Sequence, residues 1–217
     1  MAILTSLQIG KIAPLGAQGV PSGIVKRPVA GPVALRGHQL NGDETADLTV
    51  HGGPDKAVYA YSADHYPVWA SDRPEHAARL IPGAFGENLT IAGLVEDDLC
   101  IGDIHQIGTA RLQICQPRQP CFKFGLLFGD ATMPKALVRS GRSGWYYRVV
   151  QEGEMQAGDS VTLIERPHPA LAFPRMVSIV NFGDATRDEV EQMAGADGLA
   201  IWLQRRAQAA LDEAGAA

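Results

Sequence analysis

Short alternating runs, cut off by glycine and proline, fill the chain as far as residue 166, and this limits the folds it can enter. In Thr109-Ala110-Arg111-Leu112-Gln113-Ile114-Cys115, apolar Ala110, Leu112 and Ile114 alternate with Arg111 and Gln113. That period of two marks a half-buried strand. Gly102-Asp103 and Gly158-Asp159 are turn dipeptides, each feeding a strand-like run over residues 104–107 and 161–164. Another strand is expected over residues 57–61. Many short strands with frequent turns favour a barrel or sandwich over a βαβ sheet.

A few helices interrupt this pattern. Asp72-Arg73-Pro74-Glu75 reads as an N-cap opening a helix through Leu80. Thr132 can cap a helix over residues 133–140, with Pro134 in its first turn and Gly141 stopping it. A third is expected over residues 62–70, with Asp64 as its cap because Pro67 then falls near the start. From Pro167 the style becomes helical. Phe173, Met176, Val177 and Val180 follow i, i+3, i+4, i+7 spacing up to Gly183. Thr186-Arg187-Asp188-Glu189 is a capping box, and residues 199–214 form a last helix. Three short helices bury too little surface to stand alone, so they should dock on the β domain. The expected division is residues 1–166 and residues 167–217.

At 217 residues the chain is long enough to bury a proper core, and its net charge of −5 gives no sign of a nucleic-acid partner. No apolar run is long enough to span a membrane, and Met1 to Ser6 lack the features of a signal peptide. Cys100, Cys115 and Cys121 are odd in number and lack C-x-x-C spacing, which argues against a disulfide scaffold or structural zinc. A reducing cytoplasm is the expected location.

Four patches can carry chemistry. In Gln116-Pro117-Arg118-Gln119-Pro120-Cys121-Phe122-Lys123-Phe124, the prolines stiffen the approach to Cys121 while Arg118 and Lys123 bring positive charge that favours a thiolate. From these residues alone Cys121 is either an activated thiol or a buried structural one. His51-Gly52-Gly53-Pro54-Asp55-Lys56 offers close approach to bare backbone amides beside two polar side chains, or it is a tight turn before a strand. Glu87 and Asn88, beside Gly86, either line a pocket or close an Asx-turn. In the run from Arg142 to Arg148, arginines flank Trp145, Tyr146 and Tyr147, suited to gripping a phosphate or a planar ring, or simply to snorkelling from a core strand.

Taken in order, H-G-G-P-D-K, G-A-F-G-E-N-L, Gly102-Asp103, Q-P-R-Q-P-C and G-R-S-G-W-Y-Y-R-V resemble the MOSC domain family, named for the C-terminal domain of molybdenum cofactor sulfurases. The stretch from Leu40 to Glu44, running on to His51, is similar too. Within the family the likeness is greatest to stand-alone bacterial proteins of the YiiM type, which carry a C-terminal three-helix domain. The resemblance spans essentially the whole chain. It implies a mainly β fold with some α, a barrel-like MOSC domain with a few short helices followed by a small three-helix domain.

The resemblance also implies binding of molybdenum cofactor, with Cys121 as the molybdenum ligand. A soft thiolate among cations suits a thiophilic metal. Arg118, Lys56, Arg142 and Arg148 are candidates for the cofactor phosphate, and His51, Gly52, Gly53 and Asn88 for the pterin or substrate side. The implied activity is reduction of N-hydroxylated compounds of the hydroxylaminopurine type, with Glu87 or His51 as proton donor. Its rival is a non-catalytic carrier of the cofactor or of a Cys121 persulfide. With no aminotransferase-like domain, the chain is not expected to be a sulfurase. With no ferredoxin-type cysteine cluster, its electrons are expected from a separate reductase. Cys100 and Cys115 are expected to be structural, and a homodimer is left open.

Overall fold

A computed structural model describes residues 1–216. Thirteen strands are present in that span: β1 (Ala2–Ile9), β2 (Ala13–Leu15), β3 (Val20–Ser22), β4 (Arg27–Pro28), β5 (Val33–Arg36), β6 (Gln39–Leu40), β7 (Val58–Ser62), β8 (Leu89–Ala92), β9 (Ile104–Ile107), β10 (Ala110–Pro117), β11 (Trp145–Gln151), β12 (Gly153–Met155) and β13 (Ser160–Glu165). Seven of them form a barrel in the order β13-β9-β10-β11-β7-β8-β1, closed by the pairing of β1 with β13. Closure satisfies strand edges that would otherwise stay open. Every neighbour pair is antiparallel except β7 and β8. The remaining strands make small hairpins and edges, with β5 and β6 joined to β12. The barrel fold read from the sequence is the one observed.

Six α-helices accompany the strands: α1 (His65–Asp72), α2 (Phe122–Phe128), α3 (Met133–Ser140), α4 (Phe173–Phe182), α5 (Arg187–Ala194) and α6 (Ile201–Gly215). Helix α3 starts after Thr132 and ends at Gly141, with φ 71°, as expected, but the Thr132 hydroxyl donates back to Asp130 at 2.7 Å and makes no capping bond. Helix α5 has the full capping box, in which the Thr186 hydroxyl accepts from the Glu189 N–H. The helix expected after Asp72 is a short 3-10 turn instead, Pro74–Arg79, because α1 runs on through Asp72. Ser62 belongs to β7, and the first helix begins at His65, directly after Asp64, the expected cap. Helix α2 was not foreseen. Its Phe124 and Phe128 lie one turn apart and are buried in an aromatic cluster with Tyr61 and Phe85, whose rings stack at 4.2 Å.

The main core fills the barrel with Leu4, Val58, Leu89, Ile107, Leu112 and Ile114, and continues into Phe173, Met176 and Leu203 of the C-terminal helices and Leu199 just before α6. Those helices therefore share the barrel's apolar core. Cys115 is wholly buried where a register shift between Ile114 and Gln116 interrupts the alternation of β10. Cys100 is buried as well. Among the described residues no helix is long and apolar enough to cross a membrane.

Candidate functional site

Strand register brings the separate motifs together. Pro117 of β10 pairs with Trp145 of β11, Trp145 with Ala60 of β7, and Ala60 with Leu89 of β8. Arg118 continues β10 beyond that row, whereas Asn88 lies on its other side beside Tyr59, whose carbonyl accepts from the Asn88 N–H at 2.8 Å. The adjoining row pairs Gln116 with Tyr146 and Tyr146 with Tyr59. Above these rows lies a cavity of about 510 Å³ lined by His51, Gly52, Gly53, Lys56, Asn88, Arg118 and Cys121, all expected from the sequence. Such a volume suits a cofactor or small molecule.

Cys121 is the N-cap of α2 and is partly exposed. Burial pushes its thiol up, but neighbouring His51, the Lys123 backbone N–H and the charge of Arg118 outweigh that and bring it to about 7. The partial positive charge at a helix start acts in the same direction. The sequence pointed to Arg118 as the thiol's main electrostatic companion; in the structure His51 contributes more.

Arg118 is buried, with its guanidinium 4.6 Å from the Tyr59 ring centroid and 5.0 Å from that of Phe124. Its Nη1 donates to the Phe85 carbonyl. The group is thus a fixed cation built into the wall. Lys56 Nζ donates to the Val50 carbonyl at 2.5 Å. Partial burial lowers its pKa, opposed by Asp55, Cys115 and Cys121. Gly53, at φ 92°, needs the left-handed freedom of glycine. At Gly86 a Cβ would meet Ile24 at 2.6 Å, so the wall closes tightly there.

Three candidates lie elsewhere. Glu87 is completely buried and absent from the cavity lining. Its carboxylate accepts from the Tyr66 hydroxyl, from Gly83 and Phe85 N–H at 2.7 and 3.1 Å, and from the Thr90 hydroxyl at 2.8 Å. Burial raises its pKa. This residue pins the loop that carries Phe85 and Asn88, and does not reach the cavity. Arg142 pairs with Asp72 at 2.5 Å and lies over Trp69. Arg148 pairs with Asp55 at 2.6 Å. Neither arginine lines the cavity.

Two residues without an assigned role do line it. Lys26 and Asp43 form a nearly buried ion pair at 2.5 Å. Asp43 also accepts from Asn88 Nδ2 at 2.9 Å and from the Gly10 N–H at 2.6 Å. Asn88 Oδ1 in turn accepts from the Tyr59 N–H at 3.2 Å. Burial is the largest influence on Lys26 and lowers its pKa, Asp43 opposing. Asp43 stood within the noted stretch from Leu40, while Lys26 had no local signal, since its partner is distant in sequence.

The MOSC domain model matches residues 47–162. The chain is 41% identical over 184 residues to the protein YflK of Bacillus subtilis, covering 83% of this chain and 80% of that one. It is 38% identical over 170 residues to a protein named reductase from Gibberella moniliformis, covering 77% of this chain but spanning only 30% of that longer protein. The crystal structure of YiiM from Geobacillus stearothermophilus superimposes with a TM-score of 0.79 at 34% identity, over 96% of this chain and 98% of that one. Its ordered motifs, its closed barrel and these likenesses agree: the chain belongs to the MOSC domain family, among proteins of the YiiM type.

Proposed function

We propose that the cavity binds molybdenum cofactor and that the loaded protein reduces N-hydroxylated compounds of the hydroxylaminopurine type. The observation that carries this reading is the Cys121 thiol, at about 7, on the wall of a cavity that also holds Lys56 and Arg118. A soft, readily ionised sulfur among fixed cations fits an anionic cofactor with a thiophilic metal. When bound, that group supplies molybdenum as a two-electron redox centre, refilled by a separate reductase.

The chain's own residues set the rest. Cys121 holds the metal through sulfur. Arg118 and Lys56 offset negative charge on the cofactor, while Gly52 and Gly53 let it approach bare backbone. Asn88, whose amide is engaged by Asp43, the Gln8 carbonyl and the Tyr59 N–H, fixes the wall of the cavity. His51 is the proton donor, because it lies on the cavity wall beside the thiol and Glu87 does not reach the cavity. The name of the fungal relative supports a reductase class; the substrate belongs to the proposal.

The test is elemental analysis and hydroxylaminopurine reduction on gently purified wild type and Cys121→Ala. Wild type should carry molybdenum, and the variant should lose the metal or the activity while keeping its circular dichroism. Reduction at the wild-type rate by a variant with normal metal content would refute the role of Cys121. A persulfide on Cys121 in metal-free wild type would point to the carrier instead.

A further inference from the structure

Asp55 connects the cavity loop to the C-terminal helices. It lies between Gly53 and Lys56, which both line the cavity. Its Oδ1 accepts from Arg148 Nε and Nη2 at 2.9 and 2.6 Å, and its Oδ2 accepts from the Ile201 backbone N–H at 2.9 Å. Ile201 opens α6, whose N-cap Ala200 has no side-chain oxygen and whose first turn has no acid. A helix start leaves backbone donors unpartnered and carries partial positive charge. A carboxylate 146 residues earlier in the chain supplies the cap that the local sequence lacks.

The Asp55 main chain is tied to the same place. Its carbonyl accepts from Gln116 Nε2 at 2.6 Å and from Cys115 Sγ at 3.1 Å. Gln116 Oε1 accepts from Trp202 Nε1 of α6 at 2.7 Å, and the Ala200 N–H donates to the Cys115 carbonyl at 3.0 Å. Upstream, the loop has little apolar anchorage: Leu48 and Val50 are 72% and 52% exposed. Polar ties at Asp55 therefore carry much of its placement.

We propose that the C-terminal helices serve the cavity: through Asp55, the start of α6 holds the loop of residues 51–56 in place, and Asp55 is a positioning residue for His51 and Lys56. This rests on the reading of those two residues as working parts of the site. The coupling is reciprocal, so a disturbance at either end reaches the other.

Amide hydrogen exchange followed by mass spectrometry tests it on cofactor-free protein, so the outcome does not depend on whether molybdenum binds. Asp55→Ala should speed exchange about ten-fold across residues 47–56 and 201–206, with β1 and β9 unchanged. Asp55→Asn keeps an acceptor for Ile201 but loses the charge facing Arg148, and should fall between. Trp202→Phe, altered outside the cavity, should speed exchange in residues 47–56 about three-fold, and Gly53→Ala should do so in residues 201–206. Unchanged exchange in residues 47–56 in both Asp55→Asn and Trp202→Phe would overturn the proposal. A uniform rise across the barrel would overturn it too. Should Asp55→Ala fail to fold, the other three variants decide.

Discussion

Replacing His51 with alanine should return the Cys121 thiol to the ordinary range or above it. Burial alone pushes this thiol up, and neighbouring His51 is the largest influence opposing it, bringing the group to about 7. An unperturbed thiol near about 8.5 is only about 3% ionised at neutral pH, against roughly half for one near about 7. Alkylation speed at one pH would hide much of this. Thiolate nucleophilicity falls as its pKa falls, with a slope of about 0.4–0.5, so a drop of roughly 1.5 slows each thiolate about five-fold and cancels part of a gain of about 15-fold. The midpoint of the rate–pH profile avoids that compensation. Iodoacetamide labelling located by mass spectrometry suits the assay, since Cys100 and Cys115 are 6% and 0% exposed and should stay unlabelled. Wild type should show its midpoint near about 7, and His51→Ala at about 8.5 or higher, because burial persists without its main counterweight. A wild-type midpoint in the ordinary thiol range would refute the reasoning, as would equal midpoints in the two proteins.

Other expectations concern stability. The folded Cys121 thiol lies below its unfolded value, so its ionisation adds stability above the ordinary thiol range, and that contribution is lost as pH falls through about 7. Cys121→Ser should flatten this part of the stability–pH curve measured by denaturant, and an unaltered slope would count against it. Glu87→Gln turns an amide donor toward groups that include the Gly83 and Phe85 N–H, and should cost about 1–3 kcal/mol in urea unfolding. An unchanged midpoint would show that these contacts do not hold the loop. Thr186→Ala removes the capping-box hydroxyl of α5 and should cost about 1 kcal/mol, read by the same titration.

Elements whose cause is local could be read from the chain. The stop of α3 and the start of α5 follow from Gly141, Thr186 and Glu189, all within a turn of what they cap. Asp64 precedes α1 as Pro67 implied, whereas Asp72 ends that helix instead of opening the next one, and Trp69 of its last turns is buried in the aromatic cluster. Helix α2 escaped notice for a similar reason. Two prolines and Gly125 suggest irregular chain, whereas burial of Phe124 and Phe128 among distant aromatic rings stabilises a helix there.

The cavity divides in the same way. Which side chains are chemically able to serve it was evident from the motifs, and the folding of separate loops over one cavity is what brings Arg118 and Asn88 into the same lining. Arg142 and Arg148 carry the same charge as Arg118, but their partners Asp72 and Asp55 stand 70 and 93 residues away, and those pairings take them out of the lining. Lys26 entered the wall through Asp43 by the same kind of distant pairing. The sequence by itself determined the strand and turn pattern, the caps and the reactive groups, because each depends on neighbours a few bonds away. Only the tertiary structure decided which cations face the cavity, which acid is sealed beneath it and which residue caps α6. Those outcomes depend on barrel closure and on ion pairs formed between segments that the chain itself keeps far apart.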